Sequence, residues 1–409
     1  MKNFFWIDEE RHLYKTEREF IADLNKITYV RKYNNEKNPY NMVVQLAAGM
    51  MHGLETYLLD PEWSSHELAN MGLSDEKINE VYPLSSPGGT TSLGDLIGMV
   101  REQDWKMWLF TSGSTGIPKR VCHTFQTLAR NVKKSDRHQR DCWAFAYKIS
   151  HMAGIQVFLQ AILNENSLVY VFESQPVQII AAMQKYHCTR ISATPTFYRT
   201  ILPYMDGRSL DLVSMTMGGE RFDDELCASM KRKLPRVKIH NVYASTETGT
   251  LLQAKGKGFV IPKQYADKIK LSSQGEILIH RSLAGEFLFE GDWYNSHDIA
   301  CEEDGVLYFQ SRDMDFVNVG GDKVNLVEVE QAILCVESVQ DCVVKSRKNS
   351  VVGNVLCAEI VPVSGQKEKT IKKEVIAYLK EHLQGYKIPR LFTFVSSIQK
   401  TRTGKKVRS

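Results

Sequence analysis

The stretch Phe110-Thr-Ser-Gly-Ser-Thr-Gly-Ile-Pro-Lys119 gathers two glycines, four hydroxyl residues, a proline and a lysine behind an apolar run that begins at Trp105. These residue types suit a loop wrapped around phosphate oxygens. Gly113 and Gly116 let the backbone turn tightly and approach an anion. Thr111, Ser112, Ser114 and Thr115 offer hydroxyl donors, and Lys119 adds a point charge. The spacing is not that of a P-loop, in which four residues separate a glycine from Gly-Lys-Ser/Thr. The plain alternative is a Gly/Ser linker between a strand and a helix.

A loop of this kind needs rigid elements to hold it. Short apolar runs at 105–110, 142–147, 168–172, 190–194, 212–217 and 237–243 alternate with amphipathic stretches at 125–134, 152–163, 177–186, 196–204 and 223–233. Such alternation predicts βαβ units and a largely parallel sheet. Ligands in these sheets sit beyond the carboxyl ends of the strands. The hydroxyl-rich loop lies at such an end, and so do Gly218-Gly219-Glu220 and Ala244-Ser245-Thr246-Glu247. After Gly249 short strands are expected at 275–280, 286–289 and 306–310. A separate α+β module follows Arg312, with strands at 316–319, 341–345 and 355–361 and helices at 326–336 and 371–383. The first hundred residues carry no recognisable chemistry beyond a helical run at 42–52.

Length and composition set limits. At 409 residues, 43% hydrophobic and 24% charged, the chain is globular and long enough for two domains. No apolar run reaches transmembrane length, and residues 1–11 lack the apolar segment of a signal peptide. The eight cysteines form no CxxC pair or zinc spacing, so they read as reduced, and the expected compartment is the cytoplasm. Net charge is +4. Residues 313–409 hold 16 Lys/Arg against 11 Asp/Glu, a surplus of five. That basic module suits an acidic or phosphorylated partner, or is a solvated tail. Neither nucleic acid nor a membrane is expected as a partner, and the oligomeric state is left open.

The motifs, taken in order, resemble the adenylate-forming superfamily of acyl- and aryl-CoA synthetases, luciferases and peptide-synthetase adenylation domains. Thr111 to Lys119 matches that family's phosphate loop. Tyr243-Ala-Ser-Thr-Glu247 is similar to its Tyr-Gly-x-Thr-Glu motif, and Ser296-His-Asp298 stands where it has Thr-Gly-Asp. Arg312, Gly321-Asp-Lys-Val, Val327-Glu-Val-Glu330 and Thr403-Gly-Lys405 resemble the linker, the start of the small domain and the terminal lysine motif. In length the chain resembles compact members such as o-succinylbenzoate-CoA ligase. Only 109 residues precede Phe110, and Asp298 follows Glu247 by 51 positions.

The resemblance implies an α/β fold. A large ATP- and acyl-binding domain (1–311, trimmed over 1–104) would carry mixed and parallel sheets layered with helices, plus a β-barrel-like subdomain. A small mobile α+β domain (312–409) would hinge near 312–315. It also implies a two-step ligase: a carboxylic acid is activated as acyl-AMP with loss of pyrophosphate, then passed to a thiol. ATP, Mg²⁺ and CoA are the implied cofactors, or a carrier-protein phosphopantetheine in place of CoA.

By resemblance, residues Thr111, Ser112, Gly113, Ser114, Thr115, Gly116 and Lys119 hold the β- and γ-phosphates. Thr246 and Glu247 hold Mg²⁺ and the α-phosphate. Tyr243 stacks on adenine opposite Gly219 and Glu220, while Asp298 and Arg312 serve the ribose. Lys405 neutralises charge at the forming acyl–phosphate bond. His151, Phe197, Gly218, Ala244 and Ser245 line the acyl site, together with the rest of 215–219, and His151 also borders the thiol path. An apolar pocket of this kind suits an aryl or medium-sized acid.

Taken singly, each residue has a plainer reading. Tyr243 could be a core aromatic, Glu247 a helix-start carboxylate, Asp298 a turn residue, Lys405 a solvated charge and His151 a structural histidine. The chain also departs from the family pattern. Arg120 follows the loop lysine, Ala244 and His297 replace glycines, and Met314 stands at the hinge position. The substitutions around the hinge motivate a third reading of another class, a catalytically silent nucleotide- or acyl-binding protein.

Overall fold

The structure is a computed structural model that describes residues 4–85, 89–111, 119–139, 141–220, 222, 224–312, 316–349, 353–363 and 366–398. Ser112, Gly113, Ser114, Thr115, Gly116, Lys405 and the hinge residues 313–315 lie outside them.

The chain divides into two compact units, one of residues 1–61, 75–111 and 120–311 and the other of residues 62–74, 112–119 and 312–409. The larger unit is built on an eight-stranded sheet. Its order is Gly249–Ala254, Lys238–Ser245, Ser214–Met217, Arg190–Ala193, Cys142–Phe145, Ser167–Tyr170, Phe4–Asp8 and Leu13–Thr16. The six inner strands run parallel, and an antiparallel strand closes each edge. Helices Met152–Ile162, Pro176–Lys185, Pro195–Ile201 and Asp224–Lys233 connect the parallel strands, as the alternating pattern predicts.

Two features of that sheet differ from expectation. The apolar run at 105–110 forms strand Lys106–Thr111 of a separate four-stranded sheet, between Thr56–Leu58 and Lys119–Thr124. Its place is taken by Phe4–Asp8, which pairs in parallel with Ser167–Tyr170. Trp6, fully buried, packs against Phe145 and Tyr170 and ties the N-terminus into the core. Helix Pro39–Met51 is buried on nearly every side, with Asn38 capping its first turn. Each buried Leu or Met in it contributes about 1.5–3 kcal/mol of transfer free energy.

Past Gly249 the chain forms a five-stranded sheet of order Gly258–Val260, Val306–Arg312, Trp293–Glu303, Glu276–His280 and Ile269–Leu271. The expected strand at 286–289 is absent as such; only Glu286 pairs, by an isolated bridge to Cys122. The Arg281 guanidinium takes the carbonyls of Phe289 and Gly291 instead, and Leu288 is 99% exposed. The helix expected at 125–134 is also shorter, Phe125–Ala129. Arg130 and Asn131 leave it to reach the carbonyls of Thr248 and Thr250.

The smaller unit contains the hairpin Phe316–Val319 and Asp322–Asn325, helices Leu326–Leu334 and Glu368–His382, and a sheet of Val339–Asn349, Gly353–Pro362 and Leu391–Phe394. Val329, Ile333, Ile360, Ile371 and Leu379 lie in its core. Residues 62–74 belong to this unit. Lys387 is 6% exposed and bonds Glu67 at 3.2 Å and Glu328 at 2.8 Å. Among the described residues, no helix is long and apolar enough to cross a membrane.

Candidate active site

Strand Lys238–Ser245 carries Tyr243, Ala244 and Ser245 to the end of the parallel sheet, and a tight turn follows. Ser245 pairs with Gly249, so Thr246, Glu247 and Thr248 form the tip of a hairpin. Gly249 adopts φ 64°, a backbone region that favours glycine, and a Cβ there would also meet the Gln156 amide at 2.8 Å. The Ser245 hydroxyl accepts the Thr248 N–H and lies 3.1 Å from the Thr248 hydroxyl. Thr246 and Glu247 are half-buried.

Tyr243 and Asp298 meet directly. The buried phenol donates to the Asp298 carboxylate at 2.8 Å across 55 residues of sequence. Phe309 packs on the Tyr243 ring at 4.4 Å between centroids. Asp298 is 3% exposed, and its N–H donates to the Ser296 hydroxyl, which donates in turn to the Ile277 carbonyl. His297 takes φ 57°, the left-handed conformation that a glycine adopts without strain. The strand bulges at this point, with the His297 N–H held by Asn295 at 2.8 Å.

Gly218 and Gly219 follow strand Ser214–Met217, and Gly219 is exposed with φ 79°. The Glu220 side chain turns toward helix Pro195–Ile201, where it accepts the Thr196 N–H at 3.0 Å and hydroxyl at 2.8 Å. Its other oxygen is buried with no hydrogen-bond partner among the described residues. Burial raises the Glu220 carboxyl above the usual carboxylate range, against the lowering effect of Thr196. A carboxyl whose folded pKa is raised favours folding at low pH and opposes it once ionised. Glu220→Gln should therefore raise the melting temperature at pH 7, and the gain should vanish below pH 4.5, the carboxyl's reference value. Thermal unfolding of both proteins across that range checks it.

His151 stands at the N-cap position of helix Met152–Ile162, without a side-chain capping bond, and is half-exposed. Its Nε2 lies 3.2 Å from Asp60, a carboxylate that also pairs with Lys148 at 3.2 Å. Gly154 lets the helix start close to the preceding loop, because a Cβ there would stand 2.0 Å from the Lys148 carbonyl. Phe197, half-buried, sits in the first turn of helix Pro195–Ile201, with its N–H bonded to the Thr194 hydroxyl. Met215 and Met217, expected among the acyl-site residues, are instead fully buried in the core with Ala193 and Tyr198. Strand alternation turns both to the helix-covered face. Thr111 and Arg312 end strands Lys106–Thr111 and Val306–Arg312, and Lys119 opens Lys119–Thr124.

Four residues unforeseen from sequence surround these motifs. Asp60 follows the short strand Thr56–Leu58. His123, 2% exposed, places Nε2 at 2.7 Å from the Thr246 carbonyl. Burial lowers its pKa to about 4, beyond the raising effects of the Thr246 carbonyl and Glu247. Arg130 donates to the Thr248 carbonyl at 2.8 Å and the Leu283 carbonyl at 3.0 Å. The Gly285 N–H donates to the Glu247 carbonyl at 2.7 Å, and a Cβ there would stand 2.6 Å from the Cys122 carbonyl. No local signal in the sequence marks these four.

A hydroxyl and a carboxylate at one turn are hard oxygen donors. Mg²⁺ is commonly held by one or two carboxylates plus substrate phosphates and water. Among the described residues no group of three or more His, Cys, Asp or Glu could enclose a metal. The donor set at Thr246 and Glu247 thus fits a Mg²⁺ carried with its nucleotide.

The AMP-binding enzyme model matches residues 73–280, half of the chain, and the AMP-binding enzyme C-terminal domain model matches 328–405. The chain belongs to the AMP-binding enzyme family. Among relatives of this member, a 2-succinylbenzoate–CoA ligase of Bacillus licheniformis is 22% identical over 420 residues, covering 91% of this chain and 87% of its own. A 2-succinylbenzoate–CoA ligase of Staphylococcus aureus is 25% identical over 399 residues, covering 88% and 78%. A solved o-succinylbenzoate CoA synthetase (MenE) of Bacillus subtilis, bound with a product analogue, shares the fold at TM-score 0.77 and 18% identity. That match covers 100% of this chain and 95% of the other. The mixed α/β fold expected from the sequence is the fold of the AMP-binding family. This member is an enzyme of the AMP-forming ligase class. A further structure of the Bacillus subtilis synthetase holds ATP and a magnesium ion.

Proposed function

We propose that this chain joins a small carboxylic acid to CoA through an acyl-AMP. The observation that carries the reading is the buried Tyr243–Asp298 hydrogen bond, set three residues before the Thr246–Glu247 turn on one strand end. It brings the two motifs assigned to adenine and ribose into contact beside the pair assigned to metal and phosphate.

In the first step a carboxylate oxygen attacks the α-phosphorus, and the bond to pyrophosphate breaks. The chain supplies positioning and charge neutralisation here, with no protein nucleophile. Thr246 and Glu247 would hold Mg²⁺, which neutralises phosphate charge when bound. The 111–119 loop would receive the β- and γ-phosphates. Tyr243 and the exposed Gly219 backbone flank the adenine, with Glu220 fixed behind them by Thr196. Asp298 and Arg312 take the ribose, and Lys405 neutralises the forming acyl–phosphate bond. In the second step the thiol sulfur attacks the acyl carbon, its proton is lost and AMP leaves.

The acyl group would lie among His151, Phe197, Gly218, Ala244 and Ser245, which suits an aryl or medium-sized acid. We place the domain boundary at 311/312, with the hinge at 312–315, and the protein in the cytoplasm.

A screen of aryl, short-chain, fatty and amino acids for acid-dependent pyrophosphate release tests the first step. Release with at least one acid, and a CoA thioester as the second product, are the expected results. The absence of release across the panel overturns the proposal. An acidic carrier protein bearing phosphopantetheine is the second acceptor to assay, because the chain beyond Arg312 carries five surplus positive charges. Faster acyl transfer to it than to CoA would move the assignment there.

A further inference from the structure

We infer that His123 and Arg130 are positioning residues for the first half-reaction, acting through the backbone of the Thr246–Glu247 turn. The inference rests on the proposed roles of Thr246 and Glu247 and extends them to side chains that touch neither substrate nor metal.

Three consecutive carbonyls of the turn are held by three donors from distant segments. The Thr246 carbonyl takes His123 Nε2 at 2.7 Å, the Glu247 carbonyl takes the Gly285 N–H at 2.7 Å, and the Thr248 carbonyl takes Arg130 at 2.8 Å. None of these bonds uses the Thr246 hydroxyl or the Glu247 carboxylate. The partner of His123 Nε2 is an acceptor, so that nitrogen carries the proton. Its Nδ1 lies 3.2 Å from the Thr127 hydroxyl, which also donates to the Thr124 carbonyl at 2.9 Å. The imidazole is thus a fixed, directional donor rather than a free base.

The donors are themselves locked. His123 lies on strand Lys119–Thr124, four residues beyond the loop lysine. Cys122 beside it pairs with Glu286 in both directions, at 2.9 and 2.8 Å. That bridge brings Gly285 against His123, so close that a Cβ on Gly285 would meet the imidazole Cε1 at 2.7 Å. Arg130 is half-buried, and its guanidinium spans the Thr248 and Leu283 carbonyls. One frame therefore joins the strand leaving the phosphate loop to the turn assigned to the metal. A turn of three residues between strands has few bonds of its own, and its order depends on such outside donors.

The test compares full-length wild type, His123→Leu and His123→Gln. Leucine removes the donor, and glutamine returns an N–H near the position of Nε2. The first readout is amide hydrogen exchange in the ligand-free protein, over peptides covering 245–249. The second is the KM for MgATP against the KM for the acid in ATP–pyrophosphate exchange.

Leaving a buried carbonyl without its donor corresponds to about a tenfold to hundredfold effect. His123→Leu should accelerate exchange locally by at least about tenfold and raise the KM for MgATP by a similar factor, with the KM for the acid unchanged. His123→Gln should restore both. Unaltered exchange at the turn, acceleration spread evenly over the larger unit, or no rescue by glutamine would overturn the inference. If His123→Leu does not fold, Arg130→Met is read by the same peptides and judged by the same outcomes. The exchange readout needs no substrate. Local loosening without any pyrophosphate exchange in the wild type would count against the proposed function and leave the positioning frame standing.

Discussion

Replacing Glu247 by Gln is expected to lower acid-dependent pyrophosphate release by about 100-fold to 1,000-fold, the loss typical of removing one group that stabilises transition-state charge. The substitution keeps the side chain's size and removes its negative charge, so the effect reads electrostatics rather than packing. The turn itself should survive, because its bonds to His123, Gly285 and Arg130 run through backbone carbonyls. The Glu247→Gln protein should therefore melt close to wild type, while the Mg²⁺ concentration needed for half-maximal release rises. A titration of Mg²⁺ at fixed ATP, beside a thermal melt, separates the two. Undiminished release in the variant would remove Glu247 from the proposed metal site.

Lys405→Ala carries the second large effect. The lysine is assigned to the forming acyl–phosphate bond, so its loss should fall on adenylation alone, by about 100-fold or more. Thioester formation from a supplied acyl-adenylate should stay within a few-fold of wild type, because that step does not form the acyl–phosphate bond. Measuring both half-reactions on the same preparation gives the split. Equal loss in both would point to a structural role for the C-terminal segment, and unchanged adenylation would refute the assignment outright.

Much of the fold is legible along the chain. The strands at 142–147, 168–172, 190–194, 212–217 and 237–243 appear as parallel neighbours with helices between them, because each apolar run is short and bounded by amphipathic segments. The module after Arg312 is equally readable, since its strands and helices pack on one local core. Phe4–Asp8 and Trp293–Glu303 were not foreseen. The first earns its place by pairing with a strand about 160 residues away. The second contains Asn295, Ser296, His297 and Asp298, and its polar residues mask a strand that pairs with Glu276–His280.

The same division runs through the site. Thr246, Glu247, Tyr243 and Asp298 are proposed from sequence because they fall in short motifs of fixed order. The contact between Tyr243 and Asp298 could not, because it joins positions 55 residues apart. Asp60, His123, Arg130 and Gly285 belong to no motif and acquire meaning only from their neighbours. Glu220 shows the opposite case: a motif residue whose side chain folds back to hold Thr196.

By itself the sequence determined the kind of chemistry, since a hydroxyl- and glycine-rich loop ending in lysine, a Thr-Glu pair, an Asp and a terminal lysine are local patterns of reactive groups. Only the tertiary structure decided how part of that set is held. A turn gains its geometry from three donors, two of them more than 100 residues distant, and such pairings follow from sheet order and close backbone approach, which no local spacing encodes.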